Sequence, residues 1–359
     1  MSAGRYFAAT YAEARDKFRA AAAGAGAALT RYDNPAPGPD GLALSTDVAL
    51  LGPADAERVM LVLSSTHGGE GFCGSGIQGG WLAEGRGRQL PDGVAAVLVY
   101  AINPSGFAWI RRANEDNVDI NRNFIDHDAG HPHNSLYADI KHALIPDGPF
   151  ENLAKADAAL TAFKAKHGEM AVLTACSGQY QDPDGIFFGG RQPVWSNRTL
   201  SAIVRDHLPA AKMVAHIDLH TGLGPYGVGE AISYHKPGAR EHDKALAWYA
   251  ENVTTPYVAG ASAPVNKGKT GFGVSDALPA AEVVCVTLEY GTYPQEDVIQ
   301  AIREEHWLWR HGDEASAEGQ AIRAKFRKMF YPDEDRWKEM VWARGDQVLR
   351  GAAQGLGAA

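Results

Sequence analysis

The chain is poor in several features that would tie it to an oxidising compartment, a bilayer or a charged polymer. Three cysteines in 359 residues form no CxxC pair and are too few for a disulfide framework. Basic residues are outnumbered, 34 Lys and Arg against 43 Asp and Glu, for a formal net charge of -9. That balance argues against a general nucleic-acid or anionic-membrane binder, which would carry a basic stripe or patch. No apolar run approaches the ~18 to 20 residues that cross a bilayer. The opening stretch, MSAGRYFAATYAEARDKF, has charges at Arg5, Glu13 and Arg15 and no apolar core behind them, so it does not read as a secretory signal. No internal repeat or compositional break marks a second domain. The expectation is a cytoplasmic globular protein that acts on a small molecule and binds neither membrane nor nucleic acid; the oligomeric state is left open.

What is present is an alternation of apolar runs and helical patterns. Thr10 and Glu13 form a capping-box pattern ahead of an alanine-rich stretch to about Leu29, and NPAPGPDG at Asn34–Gly41 is a Pro/Gly linker. These suggest a helical extension over about 1–41 on a single catalytic domain spanning 1–359. Strand-like runs follow at Arg58–Ser65, Val94–Ile102, Met213–Leu219 and Val283–Leu288. Short β-branched runs between helical segments predict an α/β fold with a parallel or mixed sheet covered on both faces. Glu296–Arg310, Glu314–Phe330 and Asp333–Leu349 read as closing helices.

The chemistry clusters where these strands end. His67-Gly68-Gly69-Glu70 follows the first strong strand, and strand ends of open α/β sheets are where sites are built. An imidazole and a carboxylate three positions apart on a glycine turn can converge on one ion, but HxxE alone is more often an incidental surface turn. A second strand end supplies the addition that matters, Asp218-Leu219-His220-Thr221-Gly222. His220 completes a three-ligand set of the kind a catalytic zinc uses, with a position left for water. The same ligands also suit cobalt, nickel or manganese. Asp218, two residues earlier and on the same strand face, either orients a ligand from behind or lies by the scissile bond. His216 lies deeper in the strand and reads as a packed core histidine.

Two further groups of residues complete the pattern. Asn103-Pro104-Ser105-Gly106 ends the Val94 strand and leads to Arg111-Arg112 and to Asp119-Ile120-Asn121-Arg122-Asn123-Phe124. The bland reading is a capped loop whose arginines bind acidic neighbours. The functional one has Asn121 and Arg122 grip a substrate carboxylate while one of the paired arginines stabilises a developing oxyanion. Glu289 closes the buried run Val283–Leu288, where a carboxylate is costly unless paired or used. There it can take the proton of a metal-bound water and deliver it to a leaving amine.

Strand-HxxE, then NPxGF, an arginine, VDxNRNF, a distant His and a later Glu resemble the zinc carboxypeptidase superfamily, the M14 metallopeptidases. More narrowly, THGGEGFCGSGIQ, RRANEDNVDINRNF, GQYQDPDGIFFGG, WSNRTL, IDLHTGLGPYG and LEYGT resemble a bacterial branch designated as a domain of unknown function, DUF2817, from about Thr46 onward. The resemblance implies a mixed, mostly parallel eight-stranded sheet between helices and one Zn2+ per chain on His67, Glu70 and His220. It implies Glu289 as general base, Arg112 or Arg111 as the transition-state arginine, and Asn121 with Arg122 as the carboxylate clamp. Digestive members also carry a mobile tyrosine over the bound substrate; here Tyr226, Tyr290 and Tyr180 are the candidates for that role. The implied activity is carboxypeptidase-like hydrolysis of an amide bond in a small substrate with a free carboxylate. Two rivals stand beside it: an N-acyl-amino-acid amidohydrolase like the aspartoacylases and succinylglutamate desuccinylases, and a metal-stabilised binding protein without catalysis.

Some patterns are decoys. Gly74-Ser75-Gly76-Ile77-Gln78-Gly79 matches GxGxxG but falls inside a presumed helix, so small residues letting that helix approach the sheet are the better account. Ser64-Ser65 lacks the GxSxG elbow of serine hydrolases. His127, His131 and His133 read as part of a solvated loop.

Overall fold

The computed structural model describes residues 2–168, 170–258 and 265–359. The four apolar runs become the centre of one sheet: β3 (Arg58–Ser64), β4 (Val94–Tyr100), β5 (Met213–Tyr226) and β8 (Glu282–Gly291). Four strands that the sequence did not announce flank them: β1 (Ala28–Asn34), β2 (Leu44–Leu51), β6 (Gly229–Ser233) and β7 (Val253–Thr254). The order is β1-β2-β4-β3-β5-β8-β6-β7. The quartet β4-β3-β5-β8 is parallel, β2 joins antiparallel to β4, and β6 joins antiparallel to β8. Parallel strands covered on both faces need apolar side chains at nearly every position, which is why only these four read as continuous apolar runs. The fold is thus α/β, with a mixed and largely parallel eight-stranded sheet between helices.

Residues 1–41 are only partly the helical extension that the alanine-rich pattern suggests. Tyr11–Ala25 is a helix, and Thr10 Oγ1 accepts from Glu13 N–H at 3.1 Å as the capping pattern requires. Ala28–Asn34 is instead an edge strand, β1, paired antiparallel with β2. Its side chains are mostly exposed, so no buried face marked it in the sequence.

Helices Tyr11–Ala25, Gly71–Ala83, Arg240–Tyr249 and Asp335–Gly357 cover one sheet face, over Met60, Val62, Ala215, Ile217, Val284 and Val286. Trp195–His207 and Thr270–Ala277 cover the other. Beyond the carboxyl ends of the strands, Gln295–His311 and Ala317–Phe330 pack against Ser135–Leu144 and Asn152–His167 through a separate apolar cluster and wall the site on one side. Arg303 joins these helices from a buried position, donating to the main-chain carbonyls of Leu144, Ala143 and Leu153. No helix among the described residues is long and apolar enough to cross a membrane.

The turn after β3 is set by close backbone contacts. Gly68 N–H and Gly69 N–H donate to Arg112 O and Arg111 O at 3.3 and 3.1 Å, which seats the HxxE turn on the arginine segment. A side chain at Gly68 has no room, since its Cβ would lie 1.9 Å from the Gly106 carbonyl carbon. In the helix Gly71–Ala83, Gly74 does similar service, facing Ser64 and Leu219 of the sheet, and GxGxxG is the packing surface of a buried helix. A Gly68→Ala substitution is therefore expected to cost about 3 kcal/mol or more of stability. Urea denaturation measures this, and a change below about 0.5 kcal/mol would show that the turn has slack.

Candidate metal centre

Strand alternation puts the chemistry on one face. Along β5, His216, Asp218 and His220 point away from the Ala215–Ile217–Leu219 core face. Across the parallel pair, the register sets His216 opposite Cys285, Asp218 opposite Thr287 and His220 opposite Glu289. The glycine turn after β3, the strand on the other side of β5, delivers His67 and Glu70 to the same end.

His67, Glu70 and His220 converge there, with one donor atom from each all within 4.8 Å of one another and all three side chains buried. Glu70 is the bridge: Oε1 lies 2.8 Å from His67 Nδ1, and Oε2 lies 2.9 Å from His220 Nδ1. Thr221 N–H also donates to Oε2 at 3.0 Å, and the two imidazole rings stand edge to face with centroids 4.9 Å apart. Burial alone would raise the Glu70 pKa, but the two imidazoles hold it far below the usual carboxylate range.

Each imidazole is backed by an acid. His67 Nε2 lies 3.0 Å from Asp119 Oδ1, and the Arg112 guanidinium donates through Nε and Nη2 to Asp119 Oδ2 at 3.1 and 3.0 Å. His220 Nε2 lies 3.0 Å from Asp218 Oδ2, an ion-pair distance without hydrogen-bond geometry. Asp218 is itself fixed by the hydroxyls of Thr66 and Thr270, at 2.7 and 2.8 Å. Carboxylates stand at both ring nitrogens of His67, Glu70 at Nδ1 and Asp119 at Nε2, and Arg112 Nη2 also lies 2.9 Å from Nε2. An ion taken on the Nδ1 side would replace the proton shared with Glu70 and leave Asp119 to hold Nε2–H. Two inward imidazole nitrogens and a carboxylate, each imidazole backed by an acid, are the donor set that a catalytic zinc takes. Asp218 thus stands behind its ligand, which decides between the two positions the sequence left open.

A cleft of ≈ 760 Å³, open mouth included, lies over these residues. Glu289, Arg112, Asn121 and Arg122 line it together with the triad. Burial and the neighbouring Glu70 carboxylate raise the Glu289 pKa, so its proton affinity is well above that of a solvated glutamate. Arg112 reaches the triad, with Nη1 3.7 Å from Glu70 Oε1. Arg111 does not. Its guanidinium is buried in an ion pair with Glu305 at 2.9 Å, bonded to Asn117 and laid over the Trp309 ring. Of the paired arginines, Arg112 alone faces the site.

None of the three proposed capping tyrosines lines the cleft. Tyr226 bonds Glu334 at the surface, Tyr180 donates to Arg122 O from behind the arginine, and Tyr290 projects from the opposite sheet face into the core. Tyr290 adjoins Glu289 in sequence, so strand alternation sends it the other way. The tyrosine that does line the cleft is Tyr234, after β6, together with Lys269, just before the helix Thr270–Ala277. Sequence reasoning missed both, because neither stands in a motif or at the end of an apolar run. His216 is the neutral core histidine expected: both ring nitrogens are buried without partners, and burial pushes its pKa down to about 4.

Two outcomes follow for metal binding. Asp119→Asn and Asp218→Asn should each weaken zinc binding by roughly 10- to 100-fold while the protein stays folded. Equilibrium dialysis checks this, and unchanged affinity in both would remove the backing acids from the account. Burial opposes charging His220, but Asp218 and Glu70 outweigh it and hold its pKa well above 6.5 in the metal-free protein. That proton must leave when an ion binds, so affinity should rise with pH, with release of about one proton at pH 7. Calorimetry in buffers of different ionisation enthalpy reads the proton directly; no release would contradict the arrangement.

Comparison with known proteins sets this geometry in context. No curated protein matches the sequence. Among solved structures, similarity extends to the succinylglutamate desuccinylase of Chromobacterium violaceum, at 17% identity over 88% of this chain and 73% of that one, TM-score 0.37. It extends also to bovine thrombin-activatable fibrinolysis inhibitor in complex with tick carboxypeptidase inhibitor, at 11% identity over 95% and 97% of the chains, TM-score 0.44. A third is a metallo-carboxypeptidase from Pseudomonas aeruginosa, at 12% identity over 94% and 68%, TM-score 0.42. Residues 7–344 match the family described as "Protein of unknown function (DUF2817)", a match that begins well before Thr46 and takes in the first helix and β1. The chain belongs to the DUF2817 family.

Proposed function

We propose that the protein is a zinc-dependent hydrolase of an amide bond in a small substrate that carries a free carboxylate, with carboxypeptidase-like chemistry. The observation that carries this reading is the β5–β8 register. It places Glu289, unused by any ion pair among the described residues, beside His220 on the face where His67 and Glu70 converge.

Zinc in this donor set supplies a Lewis acid and a bound water whose pKa falls towards ~7. The rest is the work of the chain. Glu289, with its raised proton affinity, accepts a proton from the attacking water and passes it to the leaving nitrogen. Arg112, braced on Asp119 through two of its nitrogens, directs the remaining one toward the triad to stabilise charge developing on the carbonyl oxygen. Asn121 and Arg122 hold the substrate carboxylate. Asn121 Oδ1 accepts from Thr270 N–H at 3.0 Å, which fixes the side-chain amide, and Arg122 is oriented by donating to the main-chain carbonyls of Ser177 and Asn121. Leu173, Phe187, Val298 and Ile302 add apolar lining to the charged groups of the cleft, as small-molecule sites commonly have. A short peptide and an N-acyl amino acid both present an amide beside a carboxylate, so both belong in the test.

Glu289→Gln keeps the shape and removes the proton carrier. It should lower kcat by about 10²- to 10⁴-fold on whichever of the two substrate types is cleaved, with zinc bound as in the parent. Amine release from a mixed library of short peptides and N-acyl amino acids, with metal content measured on the same samples, checks this. Full activity in the variant would assign the proton transfer elsewhere.

A further inference from the structure

The cleft contains two cations that form no ion pair with an acid among the described residues. Arg122 is buried, and its donor contacts are main-chain carbonyls. Lys269 is 6% exposed, and its ammonium lies 4.0 Å from the centroid of the Tyr234 ring. Among the described residues neither forms an ion pair, although both line the cleft. Of the other charged groups near the triad, Arg112 is occupied by Asp119, Asp119 also by His67, and Asp218 by two hydroxyls and His220, while Glu289 forms no ion pair among the described residues.

Lys269 is also built into the carboxylate clamp on both sides. Its preceding residue, Gly268, packs so tightly on Arg122 that a Cβ there would lie 2.2 Å from Arg122 O, and Gly268 O accepts from Phe124 N–H at 3.1 Å. Its following residue, Thr270, donates its N–H to the Asn121 side chain. The chain thus carries an ammonium to the very residues that hold the first carboxylate, at the cost of burying it. Burial and the nearby Arg122 depress its pKa to about 7, outweighing the opposing pull of Glu289, Asp119 and Asp218.

We propose that the substrate fragment held by Asn121 and Arg122 bears a second carboxylate, received by Lys269, so that the residue released is an aspartate- or glutamate-like diacid. This rests on the reading of Asn121 and Arg122 as a carboxylate clamp. The competing role for Lys269 is counter-ion to Glu289, whose charge reaches it through space, but among the described residues the two form no ion pair. The aromatic face beneath the ammonium leaves its donors free for a ligand, as charge-assisted recognition requires.

The test compares N-acetylglutamate and N-acetylaspartate with their glutamine and asparagine counterparts, and the same C-terminal residues on a dipeptide. The zinc-loaded parent should favour acid over amide by at least about 100-fold in kcat/KM, because the amide leaves a buried ammonium unpaired. In Lys269→Gln that ratio should fall below about threefold, and Lys269→Arg should retain most of it. A parent that cleaves acids and amides alike, or a Lys269→Gln variant that lowers both equally, overturns the proposal and leaves the hydrolase reading standing. Calorimetric binding of glutarate against its monoamide separates the two claims. Preference for glutarate that disappears in Lys269→Gln supports the diacid site even if no amide is cleaved, in which case the hydrolase reading is the one that fails. Equal binding of the two overturns the proposal whatever the activity.

Discussion

A single buried carboxylate, Glu70, stands between two imidazole nitrogens at 2.8 and 2.9 Å, and the organisation of the site depends on it. A glutamate taken out of water without partners would be costly and would stay protonated. Here it is kept charged by groups from two adjacent parallel strands, and the fold must bring those strand ends together for it to exist at all. The glycine turn after β3 makes this possible by seating its backbone directly on Gly106 and Arg111, closer than any side chain would allow. The same contact carries Arg112 to the triad and turns Arg111 away into its pair with Glu305. One backbone apposition therefore sets the ligands and the arginine at once.

The second constraint is the two-residue period of a strand. His216, Asp218 and His220 leave β5 on one side, and Cys285, Thr287 and Glu289 leave β8 on the same side in register. The other faces, from Ala215 to Leu219 and from Val284 to Tyr290, are core. The function assigned to each residue falls off with depth. His216 is a neutral packed imidazole, Asp218 backs a ligand, and His220 is the ligand at the strand end. A one-residue slip between β5 and β8 would exchange core for site, so the apolar packing of the sheet is also what holds the chemistry in place.

What could be read from the sequence follows from the same physics. The four central strands were legible because they are buried on both faces and so are written as unbroken apolar runs. The HxxE turn, the Asp-Leu-His strand end and the glutamate closing an apolar run were legible because polar groups at such positions demand a reason. The edge strands were not. β1 is largely exposed, and β7 is two residues long. Lys269 and Tyr234 were missed because their meaning lies wholly in tertiary placement: one follows a glycine in a loop, the other follows a short strand, and only the fold sets them in the cleft. Of the capping tyrosines, Tyr226 and Tyr290 were sought by proximity in sequence to His220 and Glu289, and strand alternation makes such proximity misleading for Tyr290.

The claim on which the account turns is that Glu70 and the two inward imidazole nitrogens form one open metal site. Diffraction at the zinc absorption edge, from crystals grown with one equivalent of zinc, tests it most directly. The account predicts a single anomalous peak about 2.0–2.2 Å from His67 Nδ1, His220 Nδ1 and a Glu70 oxygen, with the remaining position open toward Glu289. A peak bound through the Nε2 atoms, a fourth protein ligand closing the site, or no peak at the triad would contradict it.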